Sequence, residues 1–125
     1  MIAGVDTGFF FALEERNPAA LKVWEEQEII TSVIVLYELE KKLLQDHLKQ
    51  WPTIMHDISL AVTAVVLTED IAAHAARISH KHRLPGLDSL ILASLLNANV
   101  KQIYTTDSHF DLYKDKSVEI INLAD

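Results

Sequence analysis

Short apolar runs recur along the chain between longer segments in which apolar residues return every three or four positions, the pattern of strands alternating with helices. Residues 2 to 5 form the first run, ending at Asp6, and read as a buried strand followed by a turn at Thr7 and Gly8. Asn17 and Pro18 start a helix, Asn as its cap and Pro at the first helical position, predicted over about residues 18 to 27 with Ala20, Val23 and Trp24 on one face. The segment EIITSVIVLYELEKKLLQDHLKQ admits two readings, one long β-branched strand over Ile29 to Leu36 or a strand ending at Thr31 before a helix capped by Ser32. The helical spacing of Leu36, Leu39, Leu43 and Leu44, with Lys41 and Lys42 on the other side, favours the second reading and sets Glu38 in that helix's second turn.

Trp51 and Pro52 break this pattern and open another short helix, after which the β-branched AVTAVVL at residues 61 to 67 predicts a buried strand. Thr68 to Asp70 start a helix with Ile71, Ala75 and Ile78 on one face, and its neighbouring Ala72, Ala73 and Ala76 point to close helix packing. Leu84-Pro85-Gly86 forces a turn, and from Asp88 to Leu96 the chain is apolar nearly all round, which predicts a central, well-covered helix. Gln102 to Thr105 and Val118 to Leu123 return to strand character. Strands separated by helices imply parallel βαβ units, so the expected fold is α/β, a three-layer α/β/α sandwich around a parallel sheet.

The length of 125 residues, with half of them apolar and only 3 Gly and 3 Pro, predicts one domain over residues 1–125. Cysteine is absent, which excludes a disulfide scaffold and any thiolate metal site. A metal must then be held by oxygen or imidazole, which favours Mg²⁺ or Mn²⁺. No signal-peptide pattern or membrane span is visible, and a cytoplasmic protein is expected. Eleven basic residues against 18 acidic ones, a formal charge of −7, argue against gripping nucleic acid by bulk electrostatics. Divalent ions bound at an acidic site would reverse that field locally and attract phosphate.

Asp6, Glu38, Asp88 and Asp107 each follow or interrupt a strongly apolar segment, where a carboxylate must be neutralised, paired or metal-bound. In an open α/β sheet the ligand crevice lies beyond the carboxyl ends of the strands. Asp6 and Asp107 sit just past predicted strands, Asp88 starts a helix, and Glu38 reaches from the helix after the second strand. Such a carboxylate cluster suits Mg²⁺ or Mn²⁺, and ions of this kind support phosphodiester hydrolysis without a covalent intermediate.

VDTGFFFAL, VLYELEKKL, LPGLDSLILASLL and IYTTDSHF resemble, in order and spacing, the successive blocks of PIN-domain proteins, especially the VapC-like toxins, over nearly the whole chain. The resemblance implies a metal-dependent ribonuclease with a Rossmann-like parallel sheet, commonly a homodimer and often neutralised by a small antitoxin. It assigns the acidic quartet to Asp6, Glu38, Asp88 and Asp107, with Thr7 and Thr105 as polar support. Many relatives carry a further acid two positions after the last quartet residue, where this chain has His109, with Asp111 beyond Phe110. Neither His109 nor Asp111 is counted as catalytic on this reading.

Each acid also has a plainer explanation: Asp6 in a turn, Asp88 and Asp107 as helix caps, and Glu38 on a solvated helix face. Only their joint placement favours chemistry. No histidine pair matches HExxH, and Phe9, Phe10 and Phe11 read as core or dimer contacts. The competing function is a non-catalytic RNA-binding or protein-interaction module on the same fold. Nucleotide binding lacks a glycine-rich phosphate loop, and an aspartyl phosphatase lacks a second Asp two residues after Asp6.

Overall fold

The computed structural model describes residues 1–124. The apolar run Ile2–Val5 forms β1 at the centre of a five-stranded parallel sheet, flanked by β2 (Glu28–Ser32) and β4 (Gln102–Thr105). Outside them lie β3 (Val62–Val65) next to β2 and β5 (Glu119–Asn122) next to β4, giving the order β3-β2-β1-β4-β5. The chain moves outward from β1 to β3 and then returns to pair β4 with β1, so the strand order reverses between β1 and β4. Such a reversal opens a crevice at the carboxyl ends of the two strands.

Six helices complete the three-layer α/β arrangement: α1 (Thr7–Glu14), α2 (Pro18–Glu26), α3 (Val33–Leu44), α4 (Ile54–Ala61), α5 (Glu69–His82) and α6 (Gly86–Asn97). A 3₁₀ turn follows β4 at Ser108–Leu112. Several helix starts are written locally: Asn17 accepts hydrogen bonds from the backbone of Ala19 and Ala20 ahead of Pro18, Ser32 from Ile34, and Thr68 from Ile71. The stripe Ile71, Ala75 and Ile78 is buried as its spacing requires, and α5 packs mainly on α6. Helix α6 lies close on the sheet because Gly4 has no side chain there, a Cβ at that position falling 2.6 Å from Val100 and 3.3 Å from Leu95.

The structure differs from the sequence expectations at four points. Thr7 and Gly8 form no turn; they begin α1, capped by Asp6. Val62–Val65 is an edge strand of intermediate exposure, with Val66 and Leu67 exposed beyond it, because only one side of β3 finds a neighbouring strand. Leu44 projects into solvent while Val35 and Leu39 carry the buried stripe of α3. Ala72, Ala73 and Ala76 are exposed, and Ala75 alone of the four is buried.

Part of the core is an aromatic cluster. Phe9 and Phe10, both fully buried, meet edge to face at 5.4 Å between centroids; Phe10 touches Trp51, and Trp51 meets Trp24 edge to face at 5.8 Å. Such pairs add on the order of 1 kcal/mol each beyond the area they bury.

Candidate functional site

At the reversal between β1 and β4 the residue that follows β1 is Asp6, only 4 % exposed. One carboxylate oxygen accepts from the Phe9 N–H at 3.1 Å, capping α1, and the other accepts from the Thr105 hydroxyl at the end of β4 at 2.5 Å. The same Thr105 oxygen accepts from the Asp107 N–H at 2.9 Å, so one buried hydroxyl fixes both acids that follow the paired strands. Gly8 permits this approach: a Cβ there would collide with the Thr106 hydroxyl oxygen.

Glu38, in the second turn of α3, is half-buried, and its Oε1 accepts from the Thr7 hydroxyl at 2.5 Å. The alignment of α3 starts at β2, where the buried Thr31 donates to the carbonyl of Val5 at 2.7 Å and Ser32 caps the helix. Asp88 lies in the first turn of α6, but the helix has no side-chain cap and Asp88 does not act as one. Its carboxylate is therefore left to face Asp107. Asp107 does cap the 3₁₀ turn, accepting from the His109 N–H at 2.9 Å.

Charges gathered this way raise one another's proton affinity. Burial pushes the Asp6 carboxyl up to about 7, against its hydrogen bonds from Thr105 and Phe9, with the charges of Asp107 and Asp88 adding to the rise. Asp88 is raised to about 6, first by burial, then by the charge of Asp107 and a hydrogen bond shared with it; His109 opposes this and Glu38 reinforces it. Among the described residues, the basic side chain that approaches the quartet within 4.0 Å is His109, whose Nδ1 lies 3.0 Å from Asp107 and 3.5 Å from Asp88. Among the described residues no lysine or arginine pairs with the cluster at that range.

Oxygen donors from four segments, partly buried and with His109 as the one basic side chain paired to them among the described residues, fit a hard divalent cation. Single ligand atoms of Asp88, Asp107 and His109 come within 4.8 Å of one another. Asp6 and Glu38 stand beside this group, each felt electrostatically by Asp88 or feeling it. Of the four acids expected from the sequence, Asp88 and Asp107 fall within this three-residue group, while Asp6 and Glu38 lie outside it, bonded to Thr105 and Thr7. The residue left out of that expectation is His109; its signal was its place two positions after Asp107. Asp111 is exposed and outside the three-residue group. A cavity of about 360 Å³ between Leu21, Trp24, Trp51 and Asp57 is lined by none of the four acids.

The family model described as PIN domain matches residues 4–116. No curated protein matches the chain in sequence. Among solved structures, VapBC2 from Rickettsia felis bound to a promoter DNA fragment is similar over 98% of each chain, with TM-score 0.75 and 14% identity. VapBC-1 from nontypeable Haemophilus influenzae covers 100% of both chains with TM-score 0.75 and 17% identity. VapC20 of Mycobacterium tuberculosis, a toxin that cleaves the sarcin-ricin loop, covers 91% of this chain and 97% of its own with TM-score 0.71 and 21% identity. At these identities the likeness speaks to the fold.

Proposed function

The chain belongs to the PIN domain family, and from that premise we propose that it is a metal-dependent endoribonuclease, the toxin of a toxin–antitoxin pair. The observation that carries this reading is the convergence of Asp6, Glu38, Asp88 and Asp107 at the strand-order reversal with no basic partner except His109. Four carboxylates held together without a lysine or arginine are a costly arrangement for a structural role, and a cation resolves the cost.

On this reading Asp6, Glu38, Asp88 and Asp107 hold Mg²⁺ or Mn²⁺ and are the catalytic residues. When bound, such an ion would lower the proton affinity of a bound water and offset charge on phosphate oxygens. The chain's own part is positional. Thr105 and the Phe9 N–H keep Asp6 in one rotamer, Thr7 does the same for Glu38, and Thr105 sets the backbone of Asp107. The net reaction adds water across a phosphodiester: the water oxygen bonds to phosphorus, one ester oxygen leaves, and that oxygen takes up a proton.

We take residues 1–125 as one nuclease domain acting in the cytoplasm as a homodimer, with RNA as substrate and a small antitoxin as partner. No helix among the described residues is long and apolar enough to cross a membrane. The antitoxin reading draws on the VapBC assemblies to which the fold is similar, and on the complementarity between an acidic crevice and a basic tail. Because VapC20 cleaves the sarcin-ricin loop, ribosomal RNA is the first substrate to try.

The test is calorimetric titration of Mn²⁺ into metal-free protein, parent against Asp88→Asn at equal folded content, followed by RNA cleavage. The parent is expected to bind Mn²⁺ and cut RNA; Asp88→Asn is expected to lose binding and to cut at least about 100-fold more slowly. No binding by the parent would favour the non-catalytic module, to which the replacement of an acid by His109 also points.

A further inference from the structure

We propose that His109 is a direct imidazole ligand of the cation held by Asp88 and Asp107, and that it turns the site's preference from Mg²⁺ toward Mn²⁺. The inference rests on the reading that this crevice binds a divalent ion, and it deepens that reading by naming a nitrogen donor. Two neighbouring ligands of one octahedral ion, each about 2.1 Å from it, stand about 3 Å apart. His109 Nδ1 stands 3.0 Å from Asp107 Oδ1 and 3.5 Å from Asp88 Oδ2, so the ring nitrogen already occupies the place of a neighbouring ligand to both carboxylates.

Three observations separate this from a surface ion pair. The His109 backbone is tied to the same Asp107 oxygen that faces its ring, at 2.9 Å, so the residue approaches the carboxylates from a fixed backbone position. Asp88 is not consumed as a helix cap, although it lies in the first turn of α6. The three donors come from two separate elements, α6 and the turn after β4, and still offer ligand atoms within 4.8 Å of one another.

The chemical consequence follows from donor type. A carboxylate at position 109 would add a further negative oxygen, well matched to Mg²⁺. A neutral imidazole adds a softer donor and no charge, lowering repulsion in a cluster where Asp88 already feels Asp107 and Glu38. Imidazole favours transition ions over Mg²⁺, and Mn²⁺ is the mildest of that series. The His109 ring is 55% exposed, so it reaches the ion from the solvent side and its replacement leaves the core untouched.

Pulsed electron paramagnetic resonance of Mn²⁺ bound to the full chain tests this, because a directly bonded imidazole gives a ¹⁴N hyperfine coupling that carboxylates and water do not. The parent is expected to show the coupling, and His109→Ala and His109→Asp to lose it. Calorimetry on the same proteins should show Mn²⁺ affinity falling about 10- to 100-fold in His109→Ala, with Mg²⁺ affinity changing less. In His109→Asp the ratio of Mn²⁺ to Mg²⁺ affinity should shift toward Mg²⁺. Mn²⁺ that binds without nitrogen coupling, or a coupling that survives in His109→Ala, would overturn this inference and leave the metal-dependent nuclease reading standing. A parent that binds no Mn²⁺ would remove both. Circular dichroism confirms equal folding of the variants.

Discussion

Helix α1 belongs to two contrasting regions of the molecule. Its first residue, Thr7, holds Glu38 at the carboxylate edge, while Phe9 and Phe10 lie fully buried in the aromatic cluster with Trp51. At the edge, the buried groups include Asp6, Thr31, Ser32 and Thr105, nearly all at strand ends and all hydrogen-bonded. In the cluster, the buried side chains carry almost no polar atoms and gain from every contact they make. The difference teaches where stability and chemistry are kept apart: one helix anchors on apolar burial so that its cap can hold a carboxylate whose ionisation the fold resists.

The largest effect is expected from weakening the anchoring side of α1. Phe10→Ala should cost about 3–5 kcal/mol, a large part of a domain's stability, and lower the urea midpoint accordingly. A loss below about 1 kcal/mol would mean that the cluster does not support α1.

The edge should respond in the opposite sense to loss of charge. The Asp6 carboxyl is raised from 3.8 to about 7 in the fold, so above pH 3.8 the unfolded chain releases a proton that the folded chain retains. The unfolded state then binds fewer protons, and the metal-free protein should lose stability as pH rises from about 4 to about 7, by a few kcal/mol at most. Asp6→Asn should flatten that slope, as chemical denaturation across this pH range would reveal. Equal slopes for parent and variant would count against the raised pKa.

Thr105→Val removes one polar partner and keeps the shape. Asp6 and the Asp107 N–H each lose a hydrogen bond, and about 1–3 kcal/mol should go with them. The effect should be smaller near pH 4, where Asp6 is protonated in the fold. At the small end stands Leu44→Ala, at a residue 77% exposed, which should change stability by less than about 0.5 kcal/mol; a larger loss by thermal melting would show that the side chain is covered in solution.

Much of this contrast is legible in residue patterns. Asn17-Pro18, Ser32 and Thr68 announce their helices because a cap is a local hydrogen bond between side chain and nearby backbone. The stripe of Ile71, Ala75 and Ile78 is legible because burial on one face imposes helical spacing. Helix α1 is harder: Thr-Gly reads as a turn, and GFFFAL is apolar on every side, so no periodicity marks it. Its helical state comes from the Asp6 cap and from burial among other elements. The β-branched run at β3 is misread as buried for the converse reason, since edge and central strands share the same propensity and only their neighbours differ.

The alternation of strands and helices and the parallel α/β fold are readable in the residues alone, because these depend on spacing and residue chemistry within short segments. Tertiary structure alone decided that β4 returns beside β1, and therefore that Asp6 and Asp107 share one buried hydroxyl. It also decided that Asp88 is spared from capping and that the ring of His109 turns onto Asp88 and Asp107. Proton affinities and ligand geometry arise from distances across 19 to 101 residues of sequence separation, from Asp88–Asp107 to Asp6–Asp107, and only a closed fold sets those distances.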